Sequence, residues 1–363
     1  MIVYIFLIFF YFICGLITTR INNDNFSTLF LKNLLISLPI AVLICFRAST
    51  VGSDTNMYET LFNSFATENL SSSFLLYKTE VGFIMFCKLL GVCRLGFHDF
   101  ILISGLINVL AFSYFFSKYS NNYGAAWLLF ITLLFMPRCM NIVREMLAVS
   151  LFLLSLTFLL KNKKAIFTLS IVLLFFIHKS AILILLVLLF MKIQSDNNRR
   201  RILFTLCMLT LFLFNPLMNL FVSYTGGKYD YLLESQYIDT EGGVAKFFNI
   251  ILAFFVYWCF YKYIKIVKRN KTACIFENKV WEAIVSLNIV LSFAGLSFGL
   301  ADRASLYFFT SSLIFIPNYI FIRKKELLPK YILINSFFIA YFIMVMVYRN
   351  NWHSIVPYNF YWD

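Results

Sequence analysis

Charge is what this sequence has least of. Asp, Glu, Lys and Arg make up 13% of its 363 residues and hydrophobic residues 61%, where a soluble domain carries roughly 25% charge. A water-soluble fold is excluded. Histidine is nearly as scarce, with only His98, His178 and His353, far apart in the chain. No Asp-x-Asp occurs, so no metal site is expected. The glycine-rich phosphate loops of nucleotide enzymes are missing as well, and neither ATP nor a nucleotide-sugar donor is expected; no cofactor is called for. The eight cysteines are scattered, mostly inside apolar runs (Cys14, Cys45, Cys87, Cys207, Cys259). None forms a CxxC pair, and they read as small buried hydrophobes. The alternating ten-residue segments of a spanning barrel are lacking too. No small-residue cleavage site follows the first apolar run, which is taken as a retained helix. No internal repeat is visible, which argues against a transporter built from inverted repeats.

What is present is a series of apolar runs, most of them close to the length a helix needs to cross roughly 30 Å of hydrocarbon. They fall at 2–18, 33–46, 99–117, 124–137, 142–160, 202–221, 246–264, 280–298, 305–322 and 331–348. The expected fold is an all-α polytopic membrane protein of about 10 spanning helices, one integral membrane domain over 1–363. Residues 79–94 are apolar but short and carry Lys88, which suggests a half-inserted helix. Residues 165–191 are bracketed on both sides by basic clusters, Lys161-Asn162-Lys163-Lys164 before and Lys192 with Arg199-Arg200-Arg201 after. One crossing would put one cluster on the wrong side of the membrane. A broken helical hairpin with its tip at His178-Lys179-Ser180 keeps both inside.

The net charge of +14 follows the same logic. The basic residues crowd into short loops, the positive-inside pattern of a membrane protein rather than a nucleic-acid surface. Outer loops are then 47–78 and 222–245, which carry acids and turn residues. This predicts a cytoplasmic (inner) membrane protein with several polar islands at its outer face.

Charges within or at the ends of apolar helices are costly and mark function by default. Arg144 opens an apolar helix; its guanidinium suits a phosphate, which it can grip in a bidentate fork, or a local pair with Glu145. Arg303, beside Asp302, is either a second phosphate ligand or half of a loop salt bridge. Arg47 would add a third cation or hold Asp54. Two arginines converging on one cavity would neutralise a leaving diphosphate without a metal. His178, at a helix break beside Lys179 and Ser180, is a candidate general base; a neighbouring cation would keep it neutral. Asp54 has the opposite claim, as base or as the group that orients a sugar hydroxyl, and the sequence leaves the two open. Glu80, Lys179 and Ser180 are candidate substrate-positioning residues. Tyr58, Trp352, Tyr358 and Tyr361 are either sugar-stacking platforms or an interfacial aromatic belt.

Taken in order, Phe46-Arg47, Val51-Gly52-Ser53-Asp54-Thr55 with Tyr58, Glu80-Val81-Gly82-Phe83, Arg144 before Leu147-Ala148, His178-Lys179-Ser180-Ala181, Arg303 and Pro357-Tyr358 resemble the EpsG family of Wzy-type polysaccharide polymerases. The resemblance spans almost the whole chain. It implies a GT-C-like, lipid-dependent glycosyltransferase acting on undecaprenyl-diphosphate-linked oligosaccharides at the periplasmic face, with a chain-length co-polymerase as a further partner. The rival readings are a flippase for lipid-linked sugars, an O-antigen ligase and a membrane scaffold. The polymerase reading requires Arg144, His178 and Arg303 to share one wet pocket facing away from the cytosol.

Overall fold

The computed structural model describes residues 1–18, 25–67, 79–193, 201–203, 205–209, 243–269, 276, 279–297, 299–348 and 352–362. Helices dominate, and the described residues contain no strand beyond one isolated antiparallel bridge between Arg47 and Phe360. The all-α class follows. Seven described helices are long and apolar enough to cross a membrane, or eight if one bent pair counts as a span. The protein is a multi-pass membrane protein. Most of the expected run 202–221 and of the loop 222–245 lies outside the described residues.

The chain divides into two compact units, one formed by 1–158, 164–179 and 320–363, the other by 159–163 and 180–319. The first begins with α1 (Ile2–Ile17), α2 (Phe26–Cys45), α3 (Thr55–Thr67), α4 (Val81–Val92) and α5 (Phe97–Tyr119). It continues with α6 (Tyr123–Thr132), α7 (Phe135–Asn141), α8 (Val143–Leu160) and α9 (Lys164–Phe175). Small residues let these helices approach closely, as membrane packing demands. A methyl on Gly105 of α5 would sit 2.8 Å from Cys45 Sγ of α2, so the two helices meet almost backbone to backbone. Asn122 caps α6 by accepting from the Ala125 amide at 2.7 Å, and its amide group donates to the Gly15 carbonyl of α1 at 2.8 Å. One side chain both starts a helix and fastens its neighbour.

The run 124–137, expected as one span, is a pair bent by 59° at Leu133-Leu134. Leu134 takes a left-handed φ of 67°, uncommon for a branched side chain. Pro137 then falls in the first turn of α7, where its missing N–H costs nothing. The bend ends in Asn141, on which the site below depends. Helix α4 has 12 residues, about 18 Å, too short to span, as the half-inserted reading of 79–94 requires. The expected break at the centre of 165–191 is present: α9 ends at Phe175, and a tight 3-10 turn, Lys179–Leu185, begins after His178.

The second unit contains α10 (Leu186–Met191), α11 (Gly243–Arg269), α12 (Lys279–Ser297), α13 (Gly299–Phe309) and α14 (Ser312–Phe321), whose last two residues belong to the first unit. Helix α12 is the centre of this unit, packing against α10, α11 and α13. The first unit is completed by α15 (Leu327–Tyr348) and the segment 352–362.

Candidate functional site

The amphipathic helix α3 sets the floor. Tyr58, Phe62 and Phe65 recur at helical spacing and are buried with Phe83, Ile84 and Cys87 of α4, Phe100 of α5, and Val143 and Leu147 of α8. On this apolar base the first turn of α8 presents Arg144. Its Nη1 donates to Glu80 Oε2 at 2.9 Å, and its guanidinium carbon lies 5.4 Å from the Phe83 ring centroid and 5.8 Å from that of Tyr58. A salt bridge on one side and two aromatic faces on another fix the cation's direction.

The other oxygen of the same carboxylate approaches the break after α9, with Glu80 Oε1 at 3.9 Å from His178 Nδ1. Backbone holds this approach in place. The Gly82 amide donates to the Phe176 carbonyl at 2.8 Å, and a methyl on Gly82 would stand 2.7 Å from that oxygen. Only glycine permits the contact. The side chains of Arg144, Glu80 and His178 retain 22%, 12% and 19% of their exposure, so the cluster is recessed yet open to a ligand. Lys179 is exposed beside it.

Asp54 stands one turn before Tyr58, its carbonyl accepting from the Tyr58 amide at 3.0 Å. Gly52 has φ 105°, a region closed to most side chains. There a methyl would collide with the Met140 carbonyl at 2.5 Å. Ser53 Oγ and the Asp54 amide both donate to Asn141 Oδ1 at 2.8 Å, and Asn141 Nδ2 is 2.6 Å from His353 Nδ1. The 352–362 segment runs alongside: the Gly52 and Ser53 amides donate to the Ser354 and His353 carbonyls, and the Ala48 amide to that of Asn359, each at 3.0 Å.

Several expected site residues have other surroundings. Tyr58 is only 4% exposed, and its ring faces Arg144 rather than an open cleft, so it is no surface for a sugar. Burial raises its phenol pKa, against the opposing pull of Arg144. Arg47 is 1% exposed; its Nη1 donates to the Ile44 carbonyl at 2.7 Å, and among the described residues no partner holds its Nε and Nη2. Burial pulls its pKa down to about 10. In this state it lies beneath the loop, out of a ligand's reach. Tyr358 donates its hydroxyl to the Leu43 carbonyl at 3.0 Å, which makes it a fastener of the same segment. Arg144 pairs with Glu80, 64 positions earlier.

Arg303 and Ser180 belong to the other unit. Arg303 is exposed near the start of α13, and Ser180 Oγ lies 3.2 Å from the hydroxyl of Tyr307. The sequence reading missed Asn141 and His353. The only signals were a polar residue closing a Pro-containing apolar stretch and one of just three histidines. Among the described residues no three His, Cys, Asp or Glu side chains gather as metal ligands would.

No curated protein and no solved structure matches the chain. The profile of the EpsG family matches residues 30–360, a range that takes in Arg47, Asp54, Glu80, Arg144, His178, Arg303, His353 and Tyr358. The chain therefore belongs to the EpsG family, whose members act as polymerase-like membrane glycosyltransferases.

Proposed function

We propose that this protein polymerises oligosaccharide repeat units carried on undecaprenyl diphosphate, as an O-antigen polymerase, at the periplasmic face of the bacterial inner membrane. The observation that carries the reading is the Glu80 carboxylate set between Arg144 at 2.9 Å and His178 at 3.9 Å. It combines an aimed guanidinium with an imidazole at a helix break. In the reaction, a hydroxyl of the acceptor repeat unit attacks the anomeric carbon of the growing chain. The bond from that carbon to the diphosphate oxygen breaks, and the lipid diphosphate leaves with the electron pair. Arg144 would offset the charge gathering on the diphosphate. His178 would accept the hydroxyl proton, and the Glu80 carboxylate would stabilise the imidazolium that forms. Asp54, at the edge of the same floor, would orient the acceptor sugar. Arg303 is proposed as a further phosphate ligand. Lys179, Ser180 and a co-polymerase partner keep the supporting roles assigned above.

The reaction needs no energy source beyond the diphosphate linkage. Purified protein in bilayers, given lipid-linked repeat units alone, should build a ladder of polymer lengths. Transfer of labelled lipid-linked sugar across the bilayer with no new glycosidic bond would replace this reading with a flippase. Polymer left intact by both Arg144→Ala and Arg303→Ala would reduce the protein to a scaffold.

A further inference from the structure

Asn141 and His353 carry no role in the chemistry above, yet they meet where the Asp54 loop, helix α7 and the 352–362 segment converge. The Asp54 amide can only donate, so the Asn141 oxygen must be the atom 2.8 Å away from it. That fixes the amide's orientation. The nitrogen of Asn141 therefore points at His353 Nδ1, 2.6 Å away, and it too can only donate. With Asn141 donating, His353 Nδ1 accepts, which is the arrangement of a neutral ring carrying its proton on Nε2.

The backbone reinforces this arrangement. The His353 and Ser354 carbonyls accept from the Ser53 and Gly52 amides at 3.0 Å, while His353 and Ser354 take left-handed φ values of 60° and 46°. Residues 52–54 are thus gripped from two sides, by Asn141 and by the 353–354 turn, and the Asn141–His353 hydrogen bond joins the two grips. We infer that Asn141 and His353 are positioning residues for Asp54: a clasp that sets the carboxylate's place in the acceptor site through a neutral Nε2–H tautomer of His353. The inference rests on the polymerase reading for its effect on turnover, but the clasp itself can be tested without substrate.

The test compares His353→Leu, His353→Asn and Asn141→Leu. Asparagine tolerates the left-handed backbone and offers an oxygen near the place of Nδ1; leucine offers bulk without an acceptor. Amide exchange over residues 50–58 should quicken at least about tenfold in both leucine variants and stay within about threefold of the parent in His353→Asn. Turnover should fall at least about tenfold in the leucine variants, with a raised KM for the lipid-linked acceptor, and His353→Asn should restore both. Spectra of protein carrying nitrogen-labelled histidine should show His353 as the Nε2–H tautomer, a readout that needs no variant to accumulate. Unchanged exchange in the leucine variants, a His353→Asn variant as impaired as His353→Leu at equal protein level, or an Nδ1-protonated ring would each overturn the clasp. Faster exchange with unaltered turnover would overturn its positioning role. A parent protein that makes no polymer would sink the proposed reaction and leave the exchange and spectra to decide the clasp.

Discussion

Arg144 and Glu80 meet at 2.9 Å across 64 positions of sequence. The carboxylate is shared, because its other oxygen faces His178. Removing Glu80 therefore loosens two groups at once. Glu80→Ala should cost about 1–3 kcal/mol of stability by leaving a partly buried cation unpaired, and should abolish most polymer formation. Glu80→Gln keeps an acceptor without the charge and should fall between the two. Thermal unfolding in detergent, with polymer yield per folded protein, checks the order.

Arg144→Lys tests the fork. An ammonium keeps the charge but presents neither the planar pair of donors nor the flat face that lies over Phe83 and Tyr58. Polymer yield should drop about tenfold or more with protein level unchanged, consistent with loss of one preorganised donor to developing charge. Full activity in this variant would count against diphosphate clamping.

Gly82→Ala should act through His178 without touching any charged group. The added methyl must displace the Phe176 carbonyl, and such overpacking costs about 1–3 kcal/mol. Gly96→Ala is the matched control, since its methyl would find its nearest neighbour, Asp99 Oδ2, at 3.9 Å. The first should lower both unfolding temperature and turnover. The second should leave turnover where it is.

His178→Ala and Asp54→Ala should separate by kinetics. Loss of the base lowers the rate of a single turnover at saturating substrate, by about 10²–10⁴-fold, with binding of lipid-linked units preserved. Loss of an orienting carboxylate should weaken acceptor binding as well as rate. Identical profiles for the two would defeat the division of roles.

The chain's hydropathy and the placement of its basic clusters made the all-α membrane class and the broken 165–191 segment legible, because span length and loop charge are local properties. Arg144 and His178 were legible as candidates because polar groups at the ends of apolar helices stand out. Their common partner was not. Glu80 sits in a short polar approach to α4, and its nearness to His178 rests on the Gly82–Phe176 backbone contact between residues far apart in the chain. Tyr58 and Arg47 looked available because sequence shows residue type and not depth; the first became part of the floor and the second lies below the loop. The bend at Leu133-Leu134 carries no glycine, and its left-handed leucine contradicts local preference. Asn141 depends on that bend and was hidden with it.

The bridge between Arg47 and Phe360, with the hydrogen bonds from residues 48, 52 and 53 to residues 353, 354 and 359, also orders events during biosynthesis. Residues 53 and 54 can meet Asn141 once α7 is made, but the loop's partners at 353, 354 and 359 follow 300 or more residues later. A chain stopped after α15 would hold residues 53 and 54 through Asn141 but lack the second grip from 353–354. Fastening of the loop to residues 353–359 is thus a late step in its assembly.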